Sequence, residues 1–262
     1  MFGPVIGSLA FNFGVAAPGL VASALCLTNV FFALRMLPES QPEKEHHPEG
    51  KAPPVRRSVR AAAWEVITHP RGNVSRLVWI YAVGMLGFMS MTAVLPLYLG
   101  DVFAITEANI GTFFFFIGSV SLVMRAIVLG RLVDRFGETR VMRMGAAFLA
   151  LGLFLIPIPS SVLLASIAMM LVPIGTALLF PTVSALVSHR AKKREMGQTL
   201  GVQQAFGGTA RVLAPVWATL VYQRLGVTQP FFIAGAVVLF VSFLTFGVKH
   251  RAVPEPEASS VA

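Results

Sequence analysis

Residues 109–158 read NIGTFFFFIGSVSLVMRAIVLG, then RLVDRFGETR, then VMRMGAAFLALGLFLIPI. The outer pieces, 109–130 and 141–158, are apolar and hold one arginine each, Arg125 and Arg143, whereas the short middle piece carries Arg131, Asp134, Arg135, Glu138 and Arg140. A helix needs about 20 mainly apolar residues to cross a bilayer. In lipid the backbone must satisfy its own hydrogen bonds, so such a run is helical. The stretch therefore reads as two membrane-crossing helices joined by a short charged turn. Glycines where the backbone bends sharply, here Gly130 and Gly137, suit such a turn.

The same pattern extends in both directions. Further runs of spanning length lie at Ala16–Met36, Leu77–Leu99, Val162–Val187, Met196–Tyr222 and Gln229–Val248, which with Asn109–Gly130 and Val141–Ile158 make seven candidate spans. The run Phe2–Phe13 opens on Gly3-Pro4 and is too short to cross alone. Composition agrees: 55% of residues are hydrophobic and only 13% are charged, about half the charged share of a soluble domain. The predicted class is an all-α membrane protein.

Lys and Arg fix the orientation. One side receives eight between Arg35 and Arg76, four between Arg131 and Arg143, four between Arg190 and Arg194, and Lys249 with Arg251. The other side receives Arg224 alone, while Arg125 and Arg211 fall inside spans. This asymmetry predicts a multi-pass protein of the cell (plasma or inner) membrane with its C-terminus in the cytoplasm. The net charge of +9 sits in loops beside headgroups rather than on one face, so no nucleic-acid partner is implied.

The interval between the second and third apolar runs is the one long linker. Pro38 to Pro54 is rich in Pro, Glu and Lys and reads as solvated chain. Ser58–Thr68 mixes Ala61, Ala62, Trp64 and Ile67 with Arg60; an ordinary basic loop and a short helix on the membrane surface both fit it. His46 and His47 diverge on a helix and have no third ligand nearby, so no metal site is predicted. The lone Cys26 excludes an intrachain disulfide, and Met1-Phe2-Gly3-Pro4 lacks the basic start of a signal peptide.

Three strings carry a resemblance. Gly130-Arg131-Leu132-Val133-Asp134-Arg135-Phe136-Gly137-Glu138-Thr139-Arg140 resembles the G-x-L-x-D-R-x-G loop of the major facilitator superfamily, found between helices 2 and 3 and again between helices 8 and 9. Gly3-Pro4-Val5-Ile6-Gly7 is similar to the G-P-x-x-G core of the helix-5 motif of that superfamily's drug–proton antiporters. Gly207-Gly208-Thr209-Ala210-Arg211-Val212-Leu213-Ala214-Pro215 resembles its helix-11 stretch, with Ala214 where many relatives have Gly.

The resemblance implies a six-helix C-terminal bundle preceded by helix 6 and half of helix 5 of an N-terminal bundle. The divisions are then 1–37 for that remnant, 38–76 for the cytoplasmic linker, 77–250 for the C-terminal bundle and 251–262 for a disordered tail. Measured against a 12-span frame, the sequence is that of an N-terminally truncated chain. The implied function is secondary active transport by alternating access, as efflux of small molecules or drugs with protons as the coupling ion. The alternative is a non-transporting remnant, or a regulatory or scaffold half. No cofactor is implied; the partners are a small-molecule substrate, the lipid bilayer and the missing N-terminal bundle.

Polar groups inside spans are costly and mark candidate sites. All 12 acidic residues fall in loops, at span edges or in the tail, so a proton-carrying carboxylate is expected in the missing bundle. At about 100° per residue, Gly197, Gly201, Gln204, Gly208, Arg211 and Pro215 share one helix stripe. Close helix packing and cavity lining are both open for Gln204 and Gly208, while Arg211 needs a polar network or cavity. Tyr81, Met85 and Met89 recur at helical spacing on another span, as core or as an adaptable wall for substrate. Arg125 is expected beside Asp134. The resemblance makes Gly130, Asp134, Arg135, Gly137 and Arg140 a conformational latch, and Gly3, Pro4 and Gly7 the helix-5 remnant. No Ser-His-Asp, Cys-His, metal or paired-carboxylate set occurs within a span, so no enzyme is predicted.

Overall fold

Long apolar stretches with helix-forming residues and little charge form helices here, and each predicted span is helical over most of its described residues. The computed structural model describes residues 6, 10, 13–36, 58–105, 107–159, 161–192 and 195–246. Its helices are α1 (Ala17–Met36), α2 (Val59–Thr68), α3 (Asn73–Phe103), α4 (Glu107–Val123), α5 (Leu129–Phe136), α6 (Glu138–Leu155), α7 (Val162–Arg190), α8 (Met196–Leu225) and α9 (Gln229–Phe246). One π-helical turn, Met124–Val128, joins α4 to α5. No strand occurs among the described residues. The helix-5 remnant Gly3, Pro4 and Gly7, the His46-His47 pair and the tail lie outside them.

Four helical stretches are long and apolar enough to cross a membrane by length and composition alone: Ala17–Met36, Asn73–Phe103, Phe113–Phe136 and Val162–Arg190. The other three predicted spans are more polar or shorter. Helix α6 has Glu138, Arg140 and Arg143 in its first two turns, and α8 carries Gln203, Gln204 and Arg211. At about 1.5 Å per residue α8 still rises some 45 Å, beyond the roughly 30 Å of a bilayer core.

The chain divides into two compact units, Met1–Arg57 and Ser58–Ala262. In the first, α1 has no buried residue. Two of its polar side chains bond within the helix: Ser23 donates to the Gly19 carbonyl and Thr28 to that of Ala24, each at 2.8 Å. The Arg35 guanidinium lies over the Phe31 ring.

In the second unit, α6 packs on α7 and α3 on α8, and α9 bridges α6 and α3. The α6–α7 contact is set by glycine. A Cβ on Gly145 would stand 2.6 Å from the Leu179 amide nitrogen, and one on Gly175 would overlap the Leu149 backbone. Lipid supplies no hydrophobic drive between helices, so such close approach is a main source of association. Leu77, Leu95, Leu99, Leu149, Leu153, Met169, Val183 and Phe231 fill the core. Helix α7 runs unbroken through Pro173 and Pro181, with Thr176 donating to the Pro173 carbonyl at 3.3 Å.

The charged turn differs from its expected geometry. Gly130 lies inside α5 with open space where a Cβ would go; the helix continues to Phe136, and the reversal falls at Gly137 alone, at φ 79°. Only Gly137 needs the conformational freedom of glycine.

Candidate functional site

Helix α8 presents three sectors. Val202, Gln203, Gly207, Ala210, Ala214, Ala218 and Tyr222 are buried. This small-residue side faces α3, and at Gly207 a Cβ would meet the Tyr81 ring at 2.6 Å. The predicted stripe lies beside it: Gly197, Gly201, Gln204, Arg211 and Pro215 are exposed and Gly208 is half-buried. Around the helix from that stripe come Val212, Leu213, Val216 and Leu220, which are exposed and wholly apolar.

The close-packing reading therefore belongs to Gly207, not to Gly208, where an added methyl would have nothing within 4 Å. Arg211 stands near the middle of α8, is exposed, and forms no ion pair among the described residues. Asp101, the sole acid in α3, α7 and α8, is engaged elsewhere: it accepts a hydrogen bond from Tyr222 at 2.7 Å.

Tyr81 connects the bundle interior to the open stripe. It is 5% exposed, its ring packs edge-on to Phe180 at 5.2 Å, and its hydroxyl donates to the Gln204 carbonyl oxygen across a long 3.5 Å. Phe88 also meets Phe180 edge-on, at 6.3 Å. Helices α3, α7 and α8 thus bring an aromatic trio up to an amide, with Arg211 two helical turns further along α8. Met85 is buried core, whereas Met89 is half-buried.

Gln203 was not among the expected site residues. It is fully buried, donates to Ser184 Oγ at 2.8 Å, and leaves its own carbonyl oxygen without a partner. The signal was present in the spacing Gln203, Gly207, Ala210, Ala214, Ala218, which is a more continuous small-residue row than the stripe through Gly208. Adjacent glutamines on a helix face about 100° apart, so only one of the pair can meet the open side.

In the charged turn, Asp134, Arg135 and Arg140 are all exposed. Arg125, on the π turn, makes no ion pair with Asp134: it lies a full two turns earlier and both side chains face solvent or lipid. Among the described residues, the turn pairs Glu138 with His189 of α7, at 3.2 Å. Arg135 lies over the Phe136 ring.

Among known proteins, the sequence profile of the Major Facilitator Superfamily matches residues 1–215 and 126–261. The chain belongs to the major facilitator superfamily. It is therefore a multi-pass helical membrane protein of a transporter family. It is 22% identical over 252 residues to Multidrug resistance protein 2 of Bacillus subtilis (strain 168), covering 96% of this chain and 61% of that protein. It is 22% identical to Major facilitator superfamily domain-containing protein 10 of Mus musculus, covering 95% of this chain and 57% of that one. The crystal structure of the human organic anion transporter MFSD10 (TETRAN) superposes with a TM-score of 0.64 at 21% identity, over 72% of this chain and 46% of the other. The chain thus spans about half to three-fifths of the length of these relatives.

Proposed function

We propose that this chain contributes the substrate-facing wall of a secondary active transporter that exports small amphiphilic molecules, and that organic anions are its best-matched class. The observation that carries the reading is Arg211. An unpaired guanidinium in the middle of a spanning helix is costly against hydrocarbon, so the sector of α8 that bears it, with Gln204 and Gly201, faces water or a polar ligand. The neighbouring sector of Val212, Leu213 and Val216 suits lipid. A cation two helical turns along α8 from the amide that meets the Tyr81–Phe180–Phe88 trio offers one charged contact, and the trio an adaptable apolar surface, the usual division of labour in a small-molecule site. The resemblance to an organic anion transporter supports the same class.

Alternating access places such a wall between two helical bundles that rock about a mid-membrane site. Proton-driven export is the coupling we infer, with the titrating carboxylate outside α3–α9, whose span interiors carry no acid. The basic side, which bears the Gly137 turn, is assigned to the cytoplasm.

The test is flux in proteoliposomes carrying an imposed pH gradient. The chain, and the chain extended by whatever coding sequence lies upstream of it, are each loaded with a fluorescent organic anion. Gradient-driven flux that Arg211→Ala lowers about tenfold or more, at unchanged protein content, supports the reading; a charge contact of about 1.4 kcal/mol or more in the bound state gives that factor. Absence of flux in both preparations overturns it and favours a scaffold or regulatory role.

A further inference from the structure

Helix α2 is held at the edge of the bundle, yet it leaves its most hydrophobic side chains outside. Ser58 caps its first turn, accepting from the Ala61 amide at 3.1 Å. Val66 is buried with Val78 of α3 and Val202 of α8, and Ala62 and Ala63 pack against the same cluster. Trp79 of α3 locks the helix in place: its indole N–H donates to the Val66 carbonyl at 3.0 Å, and its ring stands edge-on to Phe206 at 5.5 Å. The docked side is thus accounted for.

About a third of a turn around α2 from that side, Arg60, Trp64 and Ile67 form a row at spacings of four and three. Trp64 is 66% exposed and Ile67 51% exposed. No soluble domain would need this row in water, and a short docked helix is already stabilised without it. Arg60, Arg71 and Arg76 form no ion pair among the described residues. Arg76 spends one nitrogen on the Arg71 carbonyl at 3.3 Å while its Nε is buried with no partner. Tryptophan and arginine on one row, beside arginines that form no ion pair among the described residues where a spanning helix begins, match the boundary layer of an anionic membrane leaflet.

We infer that α2 is a lipid-binding outrigger: Trp64 and Ile67 insert into the leaflet at the basic end of the bundle, and Arg60, Arg71 and Arg76 hold anionic headgroups there. The occupant is bilayer lipid, not a protein partner. Because α2 is fixed to α3 and α8 through Val66 and Trp79, headgroup binding acts on the two helices that carry Tyr81, Gln204 and Arg211. The inference needs the bundle to lie in a bilayer but does not depend on what it transports.

The test uses the full chain in nanodiscs, on a Cys26→Ser background, with a nitroxide at Trp64→Cys, at the exposed Glu65→Cys about 100° further around α2, or at Phe116→Cys on α4. Collision with oxygen reports lipid, and collision with a water-soluble nickel chelate reports solvent. The Trp64 label is expected to favour oxygen, and added phosphatidylglycerol is expected to lower its nickel collisions severalfold. One basic residue near an anionic surface changes occupancy by about fivefold, so Arg60→Glu should remove most of the phosphatidylglycerol effect. The Glu65 label should stay nickel-accessible throughout. A Trp64 label as nickel-accessible as that at Glu65 overturns the inference, as does one shielded from both reagents, which would place protein over the row. The Phe116 label separates these results from failure of the bilayer reading, since in that case it too would meet nickel.

Discussion

Gly207 and Gly208 are neighbours with the same side chain and opposite duties, and the contrast can be measured. Alanine normally improves a helix interior by about 0.5–1 kcal/mol over glycine. At Gly208, where space is open, Gly208→Ala should leave the unfolding temperature unchanged or raise it. At Gly207 the added methyl would press on the Tyr81 ring at 2.6 Å, and overpacking of this kind costs about 1–3 kcal/mol. Gly207→Ala should therefore lower the unfolding temperature in detergent; equal shifts for the two variants would contradict the packing. Tyr222 offers a second case. Its hydroxyl gives Asp101 a 2.7 Å hydrogen bond, and bonds to charged groups contribute about 1.5–3 kcal/mol when buried. Asp101 is exposed, so the carboxylate released by Tyr222→Phe is rehydrated and the loss should be nearer about 1 kcal/mol, read from chemical unfolding.

Among the elements, α6 and α7 form the tightest pair because glycine faces glycine. A leucine at Gly145 has no route around the Leu179 amide nitrogen or the Gly175 carbonyl, at 2.6 and 2.9 Å from the Cβ position. The backbone atoms cannot yield as a side-chain end can, so Gly145→Leu should cost at least the upper end of the usual 1–3 kcal/mol range, roughly. The expected result is loss of the monodisperse peak in size-exclusion chromatography, while Gly130→Leu, at an open helical position, should keep it. The sequence pointed to the existence and order of these helices through their apolar lengths. It did not distinguish Gly130 from Gly145, since both are glycines in or beside apolar runs. What separates them is the partner backbone, and that comes from a segment some thirty residues away along the chain.

For the whole molecule, the decisive question is which exposed surface meets lipid and which meets water. Exposure alone cannot answer it: Phe240 of α9 is 72% exposed and Val212 of α8 is 71% exposed, yet both suit hydrocarbon. The proposed pathway assigns water to the Gly201–Gln204–Arg211 sector. On the Cys26→Ser background, Gln204→Cys should react with a membrane-impermeant thiol reagent in proteoliposomes. Phe240→Cys should not, because a thiol facing lipid is neither ionised nor reached. Protection of Gln204→Cys by a transported organic anion would tie the sector to substrate. Equal reactivity at the two positions would remove the basis for calling α8 a pathway wall.

By itself the amino-acid sequence determined that this is a helical membrane chain, where its helices run and to which family its motifs relate it. Those properties follow from local quantities: apolar length, the placement of Lys and Arg, and short strings such as Gly130 to Arg140. It also picked out Gln204 and Arg211, because polar residues inside a span are conspicuous. Tertiary structure alone decided that Gln203, not Gln204, is the buried amide, that Gly207 receives Tyr81, and that Glu138 meets His189 rather than Asp134 meeting Arg125. Each of these depends on the rotation of one helix against another. That rotation is set by the sum of many close contacts across the interface; spacing along one helix, as in the small-residue row from Gln203 to Ala218, points toward a packed side without naming what packs on it.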